Sequence, residues 1–230
     1  MKKERPPTWH TSVMLPNGRT PCMLDVTFNQ KKRKNSTIKM QILVITGPPY
    51  SGKGTQCEIL EETLKFKHIS TGERIRAEKD NNTEIGQIMK EYEEKGMLVP
   101  DEIMEKLLTQ IIVENEKKKG IIFDGYPRTS PQVDTLIQLL KENNKEINQV
   151  INIEVPKEEL LKRAKERAKN STRKDDKDEK THIKRIEVFE ANTKPAIEYF
   201  KSKINVDDID GIGTIEEITN RIKSKLKKED

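Results

Sequence analysis

Residues 45–60, ITGPPYSGKGTQCEIL, constrain the fold more than any other stretch of the chain. An apolar run, QILVI, precedes a glycine-rich turn, and a pattern with helical spacing follows it. The spacing Gly47-x-x-x-x-Gly52-Lys53 is typical of a phosphate-binding loop. Glycines let backbone N–H groups approach an anion, the helix N-terminus adds about half a positive charge, and Lys53 adds a mobile full charge. This segment therefore predicts a strand, an anion-binding turn and a helix.

The rest of the chain alternates short apolar runs with stretches of helical spacing. The runs lie at residues 41–46, 120–125, 149–155 and 204–211. Continuous apolar strands separated by amphipathic helices favour a parallel sheet with helices on both faces.

Two of the predicted helices have clear apolar faces. One carries Met104, Leu107, Leu108, Ile111 and Ile112, and the last carries Ile215, Ile218, Ile222 and Leu226. Thr214 and Glu217 have the spacing of a capping box in front of the last helix.

A different composition marks the first 39 residues. Residues 1–40 hold nine Lys or Arg against two acidic residues, so the formal charge of +5 comes from this segment and the remainder carries about −2. Asn17 and Gly18 between two partly apolar runs predict a β-hairpin, and KKRK at 31–34 links it to the body. We therefore separate a basic N-terminal extension, 1–39, from a body, 40–230. We expect this arm to be a hairpin that packs on the body or on a partner. Weak binding to nucleic acid or to a membrane surface through its charge, or a nuclear signal at KKRK, are the alternatives.

The cysteine content and the hydropathy indicate a cytoplasmic protein. Two cysteines are too few for a disulfide framework or a four-thiolate zinc site. We find no apolar run near the ~18 residues of a membrane span and no secretory signal. The polar segment 169–182, densely charged, is expected to be an exposed loop or the tip of a helical hairpin.

The loop GPPYSGKGTQ resembles that of adenylate kinases and related nucleoside monophosphate kinases, and it departs from their pattern at two positions. Gly54 replaces the hydroxyl residue that follows the lysine in phosphate loops generally, with Thr55 one position later. Tyr50 stands where the family usually has glycine. We expect Tyr50 in an allowed backbone conformation with its ring pointing outward, and the alternative is a reshaped loop.

Further motifs extend the resemblance over about residues 41–227, in family order. They are HISTGERIR (68–76), GMLVPDE (96–102), FDGYPRTSPQ (123–132), KRAKER (162–167), TRKDD (172–176) and IKR (183–185). The resemblance implies a three-layer α/β/α fold with a five-stranded parallel sheet. It also implies a monophosphate-binding insertion at 70–99 and a lid at 168–180 in its short form, without a zinc-binding insert. His68 is expected to be a strand residue without a chemical role.

The resemblance implies reversible phosphoryl transfer, ATP + AMP to 2 ADP, with Mg²⁺, by a monomer. The implied catalytic cations are Lys53, Arg128, Arg163, Arg167, Arg173 and Arg185. The implied ATP phosphate site is Gly47, Pro49, Ser51, Gly52, Lys53, Gly54 and Thr55, and the ATP base site is Arg163 with Gly213. The implied AMP site is Thr71, Arg76, Val99, Gly125, Arg128, Gln132, Arg173 and Arg185. Asp124 would organise Mg²⁺ through water. The stretch from Arg173 to Arg185 is one residue longer than is usual in the family, so Lys184 is an alternative to Arg185.

Two other functions stay open at this point. A UMP/CMP kinase is the nearest: Thr71 and Gln132 favour AMP, whereas Glu73, where adenylate kinases more often have Asp, leans the other way. The second is a nucleotide-binding module without catalysis, tethered through the basic arm. The set of arginines favours a kinase, because forked permanent cations suit a reaction that brings two polyanions together.

Overall fold

A computed structural model describes residues 40–81, 83, 86–87, 89, 92, 97–170 and 179–226. The predicted hairpin within 1–39, part of the monophosphate-binding insertion, Arg173 and most of the predicted lid lie outside the described residues.

The described residues form a five-stranded parallel sheet in the order β2-β3-β1-β4-β5. The strands are β1 (Gln41–Thr46), β2 (Lys67–Ser70), β3 (Gly120–Asp124), β4 (Gln149–Glu154) and β5 (Val206–Asp210). The four apolar runs of the sequence are thus strands. The central strand, β1, pairs through Val44 with Phe123 of β3 and with Val150 of β4.

Helices cover both faces of this sheet, which confirms the three-layer α/β/α fold. They are α1 (Lys53–Leu64), α2 (Thr71–Asp80), α3 (Asp101–Glu114), α4 (Ser130–Glu142), α5 (Lys157–Asn170), α6 (Glu179–Val188), α7 (Lys194–Lys203) and α8 (Ile215–Lys225). A π-helical turn, Phe189–Thr193, joins α6 to α7.

Alternate residues of β1 pack against the two helical layers. Leu43 and Ile45 join a buried cluster with α1 and α8, whereas Ile42 and Val44 join one with α3, α4 and α7. This is the period-two alternation of a strand buried on both faces. All five predicted apolar residues of α3 are buried. On α8, Ile218 and Ile222 are buried, whereas Ile215 is exposed.

The predicted capping box starts α8. The Thr214 hydroxyl accepts from the Glu217 backbone N–H at 3.2 Å, and the Glu217 carboxylate accepts from the Thr214 N–H at 2.8 Å. Two backbone donors that the helix leaves without partners are thereby satisfied.

The strand order places several loops together at one edge of the sheet. The chain leaves β1 for β2 on one side, and after β3 it crosses to β4 on the other side. Ligands of open parallel sheets bind in the crevice that such a change of direction leaves at the carboxyl ends of the strands. The turn that contains Lys53 leaves β1 at this edge.

Candidate active site

A cleft of about 440 Å³ opens at the carboxyl edge of the sheet. It brings together most of the residues that the sequence selected for binding or catalysis. Those that line it are Gly47, Pro49, Gly52, Lys53, Gly54, Thr55, Thr71, Arg76, Val99, Asp124, Gly125, Arg128, Gln132, Arg167 and Arg185.

Glycine is required at the start of the phosphate loop. Gly47 has φ 136°, and a Cβ there would collide with the backbone carbonyl oxygen of Ile153 in β4. Gly52 has φ 89° and forms the N-cap of α1. Residues other than glycine rarely adopt φ angles in this positive region. The loop therefore follows a path close to β4 and delivers the N-terminus of α1 to the cleft.

Lys53 is the central cation of the loop. Its ammonium donates to the carbonyls of Gly47 (2.9 Å) and Pro48 (2.6 Å) and to the Ser51 hydroxyl (3.3 Å). Burial of the ammonium lowers the pKa of Lys53 from 10.5 to about 8; the Asp124 carboxylate opposes this, and Arg128 adds to it. Bound phosphates would place further negative charge beside this ammonium and so favour its charged form.

The end of β3 supplies a carboxylate and an ordered turn. Asp124 Oδ2 lies 3.4 Å from Nε2 of His68 on β2. The buried Thr71 hydroxyl donates to the carbonyls of Asp124 (3.2 Å) and Gly125 (3.3 Å), and Arg128 Nε donates to the Gly125 carbonyl at 2.6 Å. Gly125 itself has φ 74°. These contacts fix Thr71, Asp124 and Arg128 around one turn.

The donors present here fit Mg²⁺. Asp124 Oδ2 lies 3.8 Å from the Cβ position of Gly54, next to the phosphate loop, and the Thr55 side chain lies in the first turn of α1 and lines the cleft. Carboxylate, hydroxyl and phosphate oxygens are the ligands that Mg²⁺ prefers, with water completing its shell.

Gln132, at the start of α4, has a fixed amide orientation. Its Oε1 accepts from the Arg128 backbone N–H at 2.8 Å, and its Nε2 donates to Asp101 Oδ1 at 2.6 Å. A backbone N–H can only donate and an ionised carboxylate can only accept, so the reversed amide is disfavoured. The amide is 2% exposed, yet it lines the cleft.

The predicted arginines of α5 and α6 divide into two groups. Arg167 and Arg185 line the cleft. Arg163 instead donates to the carbonyls of Ser51 (3.4 Å) and Gly211 (2.9 Å), and to the Glu159 carboxylate at 2.9 Å. It thus joins the phosphate loop to the loop between β5 and α8. Gly213, the other residue predicted for the ATP base, lies on that second loop.

The comparisons with known proteins agree with this geometry. The family model described as adenylate kinase matches residues 45–205. The chain is 44% identical to an adenylate kinase of Bacteroides fragilis over 176 residues, 76% of this chain and 93% of that protein. It is 44% identical to one of Parabacteroides distasonis over 184 residues (80% and 96%) and 40% identical to one of Leptospira biflexa over 183 residues (80% and 98%).

The chain belongs to the adenylate kinase family. The match begins within β1 and ends just before β5, so it contains the phosphate loop and all the cleft residues named above. In the part of the chain that the structure describes, no helix is both long enough and apolar enough to cross a membrane.

Tyr50 corrects one expectation drawn from the sequence. The expectation of an allowed backbone and an outward ring is wrong, because Tyr50 has φ 67° and lines the cleft. The left-handed conformation costs a residue with a Cβ on the order of 1–2 kcal/mol. The phenol contacts His182 and Arg185 of α6, and the ring lies near Arg167 of α5.

Three residues of this candidate site were not selected from the sequence as functional. Asp101 orients Gln132, and in the sequence it has no role beyond its place in the motif GMLVPDE. His68 contacts Asp124 in addition to its predicted place in a strand. His182 lies in the segment expected to be an exposed loop or a hairpin tip, yet it is on α6 and 2% exposed. The hairpin alternative therefore fits the described part of that segment better.

Proposed function

We propose that this chain catalyses ATP + AMP ⇌ 2 ADP. The observation that carries the proposal is a single cleft that combines the phosphate loop around Lys53 with a second set of groups from α2, β3 and α4. A hydrolase with one substrate needs one phosphate site, whereas transfer between two nucleotides needs two facing sites. The names of the relatives support adenosine monophosphate, rather than a pyrimidine monophosphate, as the acceptor.

In the proposed reaction, an oxygen of the AMP phosphate attacks the γ-phosphorus of ATP. The new P–O bond forms as the bond from the γ-phosphorus to the β–γ bridging oxygen breaks, and that oxygen leaves on the first ADP. The acceptor phosphate is already anionic, so the protein needs no general base. Its task is to align two polyanions and to stabilise the charge on the moving phosphoryl group.

The cations would share this task between the two nucleotides. Lys53 and the N–H groups of residues 47–55 would hold the phosphates of ATP. Arg76 and Arg128, supported by Gly125, would hold the phosphate of AMP. Arg167 and Arg185, with Arg173 from the region not described, would reach the transferred group. Lys184 stays an alternative to Arg185; Arg185 lines the cleft.

Mg²⁺ would be held by the ATP phosphates and, through water, by Asp124. When bound, it neutralises phosphate charge and fixes the geometry of the triphosphate. The His68 contact with Asp124 keeps that carboxylate beside the phosphate loop.

The base of AMP would lie near Thr71, Val99 and Gln132. An amide presents a donor and an acceptor side by side, which matches the N1 and N6 edge of adenine. The orientation that Asp101 and the Arg128 backbone impose on Gln132 suits this edge of adenine and excludes the reversed edge of guanine or uracil. Cytosine presents the same edge as adenine, so the names of the relatives favour AMP over CMP. The base of ATP would lie near Arg163 and Gly213.

We also propose the domain organisation expected from the sequence: an extension at 1–39, a kinase domain at 40–230, an insertion at 70–99 and a short lid at 168–180. Both proposed nucleotide sites are built from one chain, which supports a monomer. A cytoplasmic location and weak nucleic-acid binding by the extension stay predictions.

The test is a coupled assay of diphosphate formation from ATP with AMP, CMP, UMP or GMP, with and without Mg²⁺. We expect AMP to exceed UMP and GMP at least about tenfold in kcat/KM, since their mismatched hydrogen-bonding edges leave buried polar groups unpaired. CMP presents the same donor and acceptor as AMP, so only its smaller ring should disfavour it. The matched control is Lys53→Met, which keeps an unbranched side chain one atom shorter and removes the charge. A higher kcat/KM with CMP or UMP would identify a pyrimidine kinase. ATP binding without any diphosphate formation would identify a non-catalytic module.

A further inference from the structure

Tyr50 connects the phosphate loop to the two helices that carry the lid-side arginines. Its Oη lies 2.6 Å from Nδ1 of His182 and 3.4 Å from Nη1 of Arg185. The rings of Tyr50 and His182 meet edge to face, with centroids 5.2 Å apart. The Arg167 guanidinium carbon lies 5.9 Å from the centre of the Tyr50 ring. One side chain of the loop thus contacts both α5 and α6.

The chemistry of these groups gives the hydrogen bonds a direction. A guanidinium can only donate, so Arg185 donates to the phenol oxygen. We assign the phenol as the donor to Nδ1 of His182, 2.6 Å away, with the imidazole proton on Nε2. His182 is 2% exposed, and a buried imidazole needs such a partner. The result is a donor chain from Arg185 through Tyr50 to His182.

His182 and Arg185 are three residues apart on α6, so they lie on the same face of that helix. Holding the imidazole fixes the rotation of this face relative to the phosphate loop. The second contact, with the phenol oxygen, then fixes the direction of the Arg185 side chain. The aromatic face of Tyr50 adds a weaker attraction for Arg167, at the outer limit of a cation–π contact.

We propose that Tyr50 is a positioning residue for phosphoryl transfer: its phenol, anchored on His182, holds the Arg185 guanidinium toward the cleft before nucleotides bind. This inference rests on the proposed kinase activity. A guanidinium that is already placed where charge develops needs less rearrangement in the transition state. Its effect should therefore fall on kcat rather than on substrate binding.

The main variant is Tyr50→Phe, which keeps the ring and the backbone conformation and removes only the hydroxyl. We expect kcat to fall about tenfold, because small misplacements of a catalytic group can cost up to ~10²-fold. KM for ATP and for AMP should change less than about twofold. Tyr50→Gly, which restores the residue usual in the family, removes the ring as well and should lower kcat at least as far. His182→Phe keeps an aromatic ring and removes the acceptor, and it should lower kcat in the same direction.

A double-mutant cycle separates positioning from a purely structural role. If Tyr50 acts through Arg185, Tyr50→Phe should lower kcat about tenfold in the wild-type background and less than about twofold in the Arg185→Ala background. Activities in that background are read as end-point ADP by chromatography, since loss of such an arginine can reach about 10³-fold. Equal losses in both backgrounds, or a lower unfolding midpoint with an unchanged kcat, would overturn the proposal.

A second readout does not depend on turnover. In mildly alkaline buffer, ¹H–¹⁵N NMR of the histidine rings should show His182 with its proton on Nε2 and an Nδ1 that accepts a hydrogen bond. The chain has three histidines, so His182→Phe assigns the signal. Tyr50→Phe should shift the Nδ1 resonance. A proton on Nδ1 in the wild-type protein, or no shift in the variant, would contradict the donor chain. Failure of the proposed function is distinct, because the wild-type protein would then form no ADP.

Discussion

Lys53 gives the site a quantitative test, since its loop lowers the pKa of the ammonium from 10.5 to about 8. Burial is the largest cause, so the charged form is disfavoured in the folded chain. At pH 7 the lysine is charged in both states, and this difference costs about 3 kcal/mol of folding free energy. Between pH 8 and 10.5, Lys53 loses its proton in the folded chain but keeps it in the unfolded chain. Stability contributed by this group therefore rises with pH across that window, by about 2 kcal/mol from pH 7 to pH 9.5.

The assay compares urea unfolding of the wild type and Lys53→Met at the two pH values, with a reductant present to protect the free thiols. The variant carries every other titrating group, so the difference between the two proteins isolates Lys53. We expect the wild type to gain about 2 kcal/mol on the variant as the pH rises. Lys117→Met, which removes an exposed lysine, controls for the loss of a surface charge. A difference constant to within about 0.5 kcal/mol would refute the reasoning.

The lowered pKa of Lys53 predicts that kcat/KM and kcat depend differently on pH. The pH profile of kcat/KM for ATP reports the free protein, so it should fall above about pH 8, up to tenfold per pH unit. The profile of kcat reports the nucleotide-bound form, in which phosphate charge raises the pKa of Lys53. It should fall only at higher pH. Coincident profiles would contradict this account of the ammonium.

Four further substitutions test particular contacts. Thr214→Ala removes the capping box and should cost about 1 kcal/mol in urea unfolding with kcat unchanged; a loss below about 0.3 kcal/mol would contradict it. Gly47→Ala combines a positive φ with a backbone collision, so it should lower the free energy of unfolding by about 2–4 kcal/mol and weaken ATP binding. Gly52→Ala has a positive φ but open space around the added Cβ, so it should lower the free energy of unfolding by only about 1–2 kcal/mol. Equal losses in the two variants would show that the backbone moves to relieve the collision at residue 47. Asp101→Ala removes the acceptor that orients the Gln132 amide and should raise KM for AMP about tenfold with kcat nearly unchanged; an unchanged KM would show that the orientation has no role.

Much of the fold follows from periodicity in the sequence. The run at 41–46 is continuous because β1 is covered on both faces, and the five apolar residues of α3 repeat because one face of that helix is buried. The strand β2 carries no such signal, since its residues are only half-buried at the edge of the sheet. Its presence was expected from the family resemblance alone.

The candidate site was predicted where backbone geometry requires a particular residue, and it was missed where a side chain depends on distant neighbours. Gly47 and Gly52 could be recognised because their spacing reflects a local loop. The contact of Tyr50 with His182 spans 132 positions in the chain, and a charged sequence around His182 hides its burial. Asp101 and Gln132 are likewise 31 positions apart, so only the fold reveals that one orients the other.

The two hydrogen bonds that Arg163 donates to backbone carbonyls have a consequence for altering the nucleotide preference of this protein. Because one guanidinium donates to a carbonyl of the phosphate loop and to a carbonyl of the loop after β5, the proposed sites for the triphosphate and for the base of ATP are connected through this side chain. A library designed to accept a different phosphoryl donor should therefore keep residue 163 constant and vary the surrounding loop. Changing Arg163 would weaken the binding of every phosphoryl donor, whatever its base.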